Sequence, residues 1–349
     1  MTASRRVSRE SHRVTRPLSE ERTVVVTGTT GTVGSALLPR LEHAHAVTRI
    51  VVLGRHAPGL RASAKVEFRQ ADVRDGRAVD RAVRGADVVV HLAYALYGVG
   101  SPEQSLFATN VEGSLNLARA ARAAGAKRFV YTSSAAVYGF HDKDTAPVDE
   151  SAPLRASGRH FYGRHKAQAE TVIRKVLARA DMDAYFFRPC AVVGPHAVGA
   201  AIRRVPRPAL RATRRALLAA ARSGLRPFVP APPAPLQFVH EDDVADALLA
   251  AVVGKPAPGT YNLAGDGPLA GSEFLSLIGL RPLPVPEHIS RGTLHALAGL
   301  PPVLPASGWA ETLLAPLILD CTAARQQLGW RPRYTSREAL LSTRRAVGW

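Results

Sequence analysis

A short β-branched run, Thr23–Thr27, breaks directly into Thr27-Gly28-Thr29-Thr30-Gly31-Thr32-Val33-Gly34, and an apolar periodic stretch, Val33 to Leu41, follows at once. Glycines at this three-residue spacing permit a tight turn and a close backbone approach that side chains would block. A strand, a glycine turn and a helix start in that order hold a pyrophosphate well. The helix N-terminus supplies free N–H groups and partial positive charge. A tight strand–helix turn with no ligand is the plainer reading of the glycines alone. Their context favours a dinucleotide, with Gly28, Thr30, Gly31, Thr32, Val33 and Gly34 as contacts.

The rest of the chain repeats the same alternation. Arg49–Leu53, Ala86–Leu92, Arg128–Ser133 and Ala184–Arg188 read as strands; Arg77–Arg84, Asn110–Ala124 and His160–Leu177 read as helices. Alternating elements of this kind imply a parallel sheet, and continuous apolar strands imply cover on both faces. Pro39 is expected to kink or shorten the first helix. Residues 1–22, rich in Ser, Thr and Arg, read as a basic tail with neither the apolar core of a secretory signal nor the acid-poor composition of a transit peptide. Residues 23–190 form the nucleotide-binding body. Residues 191–349, richer in Pro and Ala, complete the sheet and cap it, with a helical stretch near Ala209–Ser223 and a strand-then-helix at Phe238–Val253.

At 349 residues, 46% hydrophobic and 21% charged, the chain can bury a sizeable core without disulfides. Its two cysteines, Cys190 and Cys321, exclude a disulfide framework and a cysteine zinc cluster, and fit a reducing cytoplasm. His12, His43 and His45 lack partners at metal spacing. No apolar run is long enough to span a bilayer. The net charge of +18 suggests nucleic acid at first sight. The arginines are spread along the whole chain without interleaved aromatics, so no nucleic-acid partner is expected, and Arg203–Arg222 reads as a solvated helix face.

Two positions bear on the cofactor and the chemistry. The second strand ends Val51-Val52-Leu53-Gly54-Arg55. No carboxylate stands where one would hold a ribose 2′-hydroxyl, and Arg55 suits a 2′-phosphate, which leans the cofactor from NAD towards NADP. A merely solvated Arg55 is the competing reading. Tyr162 and Lys166 lie one helical turn apart. A phenol is a poor base at neutral pH, but a neighbouring ammonium favours its phenolate. Such a pair suits proton exchange with a substrate hydroxyl during hydride transfer. Ser133-Ser134 follows the fourth strand at its carboxyl end, where open α/β sheets bind ligands.

With these residues in hand, the chain resembles the extended short-chain dehydrogenase/reductase family, also called the NAD-dependent epimerase/dehydratase family, over about residues 23–340. The likeness includes Asp72-Val73-Arg74-Asp75, Val90-His91-Leu92-Ala93, Asn110-Val111-Glu112-Gly113, Arg188-Pro189 through Gly194-Pro195, Val239-His240-Glu241-Asp242-Asp243-Val244, Tyr261-Asn262-Leu263 and Leu328-Gly329-Trp330-Arg331-Pro332. The resemblance implies an α/β, Rossmann-type doubly wound sheet with a small C-terminal substrate cap. It implies Ser134 as substrate clamp, Tyr162 as acid/base and Lys166 as ribose ligand. It adds Asp72, Val73, Leu92, Ala93, Asn110 and Pro189 to the NAD(P) contacts, and it brings a homodimer through a four-helix face.

Departures from the family pattern narrow the chemistry. Ala135 and Ala136 stand where sugar dehydratases carry acidic residues. Ala191 stands where nucleotide-sugar epimerases usually have Asn, and Leu236-Gln237 where they often have Arg-Asp. The expectation is therefore an NAD(P)-dependent oxidoreductase or epimerase that transfers a hydride at a secondary alcohol or carbonyl carbon of a small molecule less polar than a nucleotide sugar. A UDP-sugar 4-epimerase is the alternative within the family. A non-catalytic NAD(P)-binding regulatory protein is the alternative outside it. His91, Tyr94 and Tyr97 read as packed residues or pocket lining, and Asp242 and Asp243 as helix N-caps.

Overall fold

Valine-rich strands fill the centre because each is covered twice. The structure, a computed structural model, describes residues 21–57, 59, 63–95, 103–140, 146–156, 161–197, 228–298, 313 and 315–346. The basic tail (apart from Glu21 and Arg22), Tyr97, Arg203–Arg222 and the helical stretch near 209–223 lie outside them. In chain order the body runs β1 (Arg22–Thr27), α1 (Thr32–His43), β2 (Val47–Gly54), β3 (Val66–Gln70), α2 (Gly76–Val83), β4 (Val88–His91) and α3 (Glu103–Phe107). It continues with α4 (Gly113–Ala123), β5 (Arg128–Thr132), α5 (Phe161–Leu177), β6 (Asp183–Pro189), β7 (Ala191–Val193), β8 (Phe228–Pro230) and β9 (Phe238–His240). The remainder is α6 (Glu241–Val253), β10 (Gly259–Leu263), α7 (Gly271–Leu277), β11 (Arg281–Leu283), α8 (Glu287–Ala298), α9 (Thr322–Gln327) and α10 (Ser336–Ala346).

Seven parallel strands form the central sheet in the order β10-β6-β5-β4-β1-β2-β3. Val24 and Val26 of β1 face α1 and α6 beside Leu37, Leu41 and Leu248. Val25, between them, faces the other layer with Val79, Leu117 and Ile173 of α2, α4 and α5. Alternate side chains thus enter two cores, which is why the strand reads as one apolar run. The chain reverses its winding between β1 and β4, whose last residues Thr27 and His91 are paired. The carboxyl ends at this switch point are where a doubly wound sheet binds ligands.

Several details differ from expectation. Arg22 already belongs to β1, because its buried guanidinium donates to the Val252 carbonyl at 2.6 Å. Helix α1 continues through Pro39 to His43. Pro39 is exposed, so its missing N–H falls on the solvent side. Next to it Arg40 bonds Asp242 at 2.8 Å and Asp246 at 2.6 Å, fastening α1 to α6. The N-cap of α6 is His240, whose Nδ1 accepts from the Asp242 N–H. Asp242 and Asp243 lie inside the first turn, where Asp242 pairs with Arg40 and Asp243 accepts the Arg333 and Tyr334 N–H groups. Two small parallel sheets, β7–β9 and β8–β11, complete the described fold.

Candidate active site

The turn after β1 is shaped by what side chains cannot enter. Gly28 has φ +76°, and a Cβ there would lie 2.6 Å from the Ala93 nitrogen. A Cβ on Gly34 would lie 2.2 Å from the Gly28 carbonyl oxygen, so α1 sits directly on the turn. Gly31 closes the turn with an N–H bond to the Gly28 oxygen at 3.0 Å and caps α1 with no side-chain bond. No acidic residue occupies the first turn of α1, so its N-terminal field is not neutralised locally. This cradle fits a dinucleotide pyrophosphate: the backbone is close, and the donors belong to a helix start. Gly34→Ala is expected to cost about 1–3 kcal/mol in overpacking and to weaken NADH binding sharply, as read by fluorescence titration; unchanged affinity would remove the turn from the site.

A buried chain of hydrogen bonds fixes the exit from β4. Ser114 Oγ donates to the Asn110 carbonyl at 2.6 Å, so it accepts from His91 Nε2 at 2.8 Å. That assigns the ring proton to Nε2. His91 Nδ1 then accepts from Thr27 Oγ1 at 2.9 Å, and Thr27 Oγ1 accepts the N–H groups of Leu92 and Ala93. Burial, assisted by the charge of Lys166, pulls His91 down to about 3, so it stays neutral in this role. Asn110 sits in a π-helical turn, Ala108–Glu112. Its amide bonds both the N–H and the carbonyl of Ala95, at 2.7 and 2.9 Å. Leu92 and Ala93 therefore lie beside Gly28, and Asn110 shapes the β4 exit through Ala95. Gly113 packs against Val73, and the Asp72 carboxylate is gripped by Arg74 with a shortest contact of 2.6 Å. Hydrogen bonds from Arg74 hold Asp72 below the usual carboxylate range.

The candidate side chains lie on α5 and after the ends of β4 and β5. Ser134 caps a single 3₁₀ turn, Ala135–Tyr138, its Oγ accepting from the Ala136 N–H at 3.2 Å. That bond leaves the hydroxyl hydrogen to be donated elsewhere. Lys166, 4% exposed, donates from Nζ to the Thr132 carbonyl at 2.7 Å, two residues before Ser134. Burial pulls the Lys166 ammonium down to about 7, against an upward influence from Glu170. Tyr94, from the β4 exit, ties the pair together. Its ring lies 4.3 Å from Lys166 Nζ, packs edge-on against Tyr162 with centroids 5.1 Å apart, and its hydroxyl donates to the Tyr162 carbonyl. Pro189 ends β6 alongside.

Beneath this surface lies a network that the sequence reading missed. Glu170, fully buried one turn beyond Lys166, accepts from Ser133 Oγ at 2.7 Å, from Arg188 at 2.5 Å and from Arg174 at 2.8 Å. Burial pushes its carboxyl up, but bonds and charges from Arg188, Ser133 and Arg174 outweigh this and leave it below the usual range. Arg188 donates onward to Tyr138 Oη, which donates to Asn262 Oδ1 at 2.7 Å. The i, i+4, i+8 spacing of Tyr162, Lys166 and Glu170 was the available signal. A second missed pair is buried Glu241 with half-exposed His196, 2.5 Å apart after β7. Among the described residues, no three metal-ligating side chains gather, and no helix is long and apolar enough to cross a membrane.

The described fold and site define a dinucleotide-binding enzyme of the oxidoreductase–epimerase kind. Residues 24–264 match the model of the NAD dependent epimerase/dehydratase family, and the chain belongs to that family. Over 321 residues it is 29% identical to UDP-glucose 4-epimerase of Streptomyces lividans, covering 88% of this chain and 91% of that one. Over 312 residues it is 29% identical to 3beta-hydroxysteroid-dehydrogenase/decarboxylase isoform 2 of Arabidopsis thaliana, covering 82% and 52%. Its fold is similar to that of the Bordetella bronchiseptica enzyme WbmG in complex with NAD and UDP, with TM-score 0.68, 20% identity and 94% of each chain covered.

Proposed function

We propose that this enzyme oxidises a secondary alcohol, or reduces the matching ketone, on a small molecule less polar than a nucleotide sugar. The observation that carries the reading is Lys166 Nζ bonded to the Thr132 carbonyl, two residues before Ser134, with the Tyr94 ring packed against both Lys166 and Tyr162. A bound nicotinamide supplies the hydride acceptor or donor at its C4. Ser134 donates its remaining hydrogen to the substrate oxygen and orients it. Tyr162 Oη takes the hydroxyl proton as the carbinol C–H bond breaks, and returns it in the reverse direction. Lys166 keeps two N–H donors for a ribose hydroxyl, and its charge favours the Tyr162 phenolate. With Ala135 and Ala136 buried beside Ser134, no acidic side chain stands there to drive elimination.

Substrate polarity follows from the departures. Leu236 is buried and paired through its backbone with Leu269, and the Gln237 side chain accepts from the Leu319 N–H at 2.8 Å. Neither offers the cation that a diphosphate needs. The relative named a 3beta-hydroxysteroid-dehydrogenase/decarboxylase supports this reading. The Streptomyces relative supports a second one, epimerisation of a UDP-sugar by oxidation and re-reduction on the opposite face. Conversion of UDP-glucose to UDP-galactose by the purified chain would decide for it.

For the cofactor we infer NADP. Exposed Arg55 follows β2, whose end carries no carboxylate, and the nearby Asp72, which feels the Arg55 charge, is gripped by Arg74. Two guanidinium groups near the adenosine ribose suit a 2′-phosphate. Arg55→Ala is expected to weaken NADPH about tenfold and leave NADH unchanged in paired fluorescence titrations. Equal wild-type affinities, untouched by the substitution, would exclude the NADP preference. A protein that binds either nucleotide but turns over no alcohol, ketone or UDP-sugar would revive the regulatory alternative.

A further inference from the structure

The cap holds a cavity of about 430 Å³, within the range of small-molecule sites. Its apolar wall includes Ala231, Pro232, Pro233, Pro282, Leu283, Pro284 and Val285. Among the described lining residues the polar side chains are the hydroxyls of Ser272 and Ser290, and none is charged. Four of the seven described apolar lining residues are prolines, which have no N–H to donate. A phosphate needs donors and positive charge, and the described wall offers few of the first and none of the second. An uncharged hydrocarbon needs neither.

The same unit carries unusual surface. Among the described residues, the exposed large hydrophobic side chains are Phe228 at 61%, Ile289 at 45% and Leu283 at 37%. All three belong to the β8–β11 sheet or to α8 beside it. Phe228 pairs in register with Arg281, whose guanidinium lies over its ring, and Leu283, two residues further on, lines the cavity. Scattered apolar residues need no explanation, but a cluster at a cavity mouth marks a binding surface.

The cavity is also tied to the catalytic edge. Its Pro232–Pro233 wall lies on the segment joining β8 to β9, and β9 pairs with β7, which follows Pro189 after one residue. A Cβ on Gly271 would meet the Pro232 carbonyl at 2.0 Å, so α7 is seated on that segment.

We propose that this cavity binds an aliphatic tail on the substrate, so that the enzyme acts on long-chain secondary alcohols or ketones. The assignment rests on the hydride-transfer reading above for its reaction, but not for its binding test. Binding of methyl ketones from butanone to dodecanone to the full chain with NADP is measured by calorimetry. Affinity should rise about three- to fourfold per added methylene until the cavity fills, with a negative heat-capacity change. Leu283→Asp should abolish the gain in affinity with length, whereas Leu283→Met should retain it. Affinity independent of chain length, or equal in wild type and Leu283→Asp, overturns the assignment. Length-dependent binding without turnover upholds the cavity and overturns the reaction; turnover without length dependence does the reverse.

Discussion

Tyr162→Phe is expected to lower turnover by about 10²–10⁴-fold while the affinity for NADPH stays at the wild-type value. The substitution is clean because of what surrounds the ring. Its edge-to-face contact with Tyr94 uses the ring and not the hydroxyl, and the Tyr94 hydroxyl donates to the Tyr162 backbone carbonyl. Phenylalanine preserves both. Lys166 keeps its bond to Thr132, and Ser134 its cap on the 3₁₀ turn. Only the phenolic oxygen is removed, so the loss reports on proton transfer at that atom. Steady-state kcat with NADPH and a short ketone, beside a cofactor titration on the same preparation, makes the comparison. A variant that keeps more than about a tenth of wild-type turnover, a barrier change near 1.4 kcal/mol or less, would mean that another group moves the proton.

How much of this was legible beforehand depends on the range of the interaction. The glycine turn is local, and its requirements are visible residue by residue: Gly28 for its φ, Gly34 for the carbonyl pressed against it. Strands buried on both faces announce themselves as valine runs. Strand β3 did not. It is an edge strand with one partner, half-buried throughout, and its Glu67 is bracketed by Arg49 and Arg69. Its sequence reads as a polar connection because its outer side is one. Pro39 misled for a similar reason, since ion pairs to a helix some two hundred residues away decide whether α1 survives its missing bond. Ser134, Tyr162 and Lys166 could be picked out because the pair shares a helix turn and the serine ends a strand. Tyr94 could not be assigned between pocket and core, because its role depends on two side chains from another element.

Glu170 is the position where that hidden, long-range layer should have its largest effect. Glu170→Ala removes a fully buried carboxylate and leaves Arg188, 4% exposed, without its main charge partner. Breaking a buried pair on one side typically costs about 3–5 kcal/mol, and chemical denaturation should show a loss of that order. Glu170→Gln should cost less, because the amide oxygen can still accept one of the bonds. Replacing Glu170 and Arg188 together with leucine should cost less than the sum of the two single changes, since no charge is then stranded. The pH dependence has a definite sign. The Glu170 pKa is lowered on folding, so its stabilisation is present above the ordinary carboxylate range and is lost as pH falls through it. The alanine variant should therefore lose less stability on acidification than the wild type. Glu170 also holds Ser133, next to Ser134, and lies one turn from Lys166. Among molecules that remain folded, kcat should fall, because Glu170 supports the Lys166 charge and holds Ser133. A stability loss below about 1 kcal/mol, the size of an exposed ion pair, would show that solvent reaches the carboxylate and that the network does not brace the site.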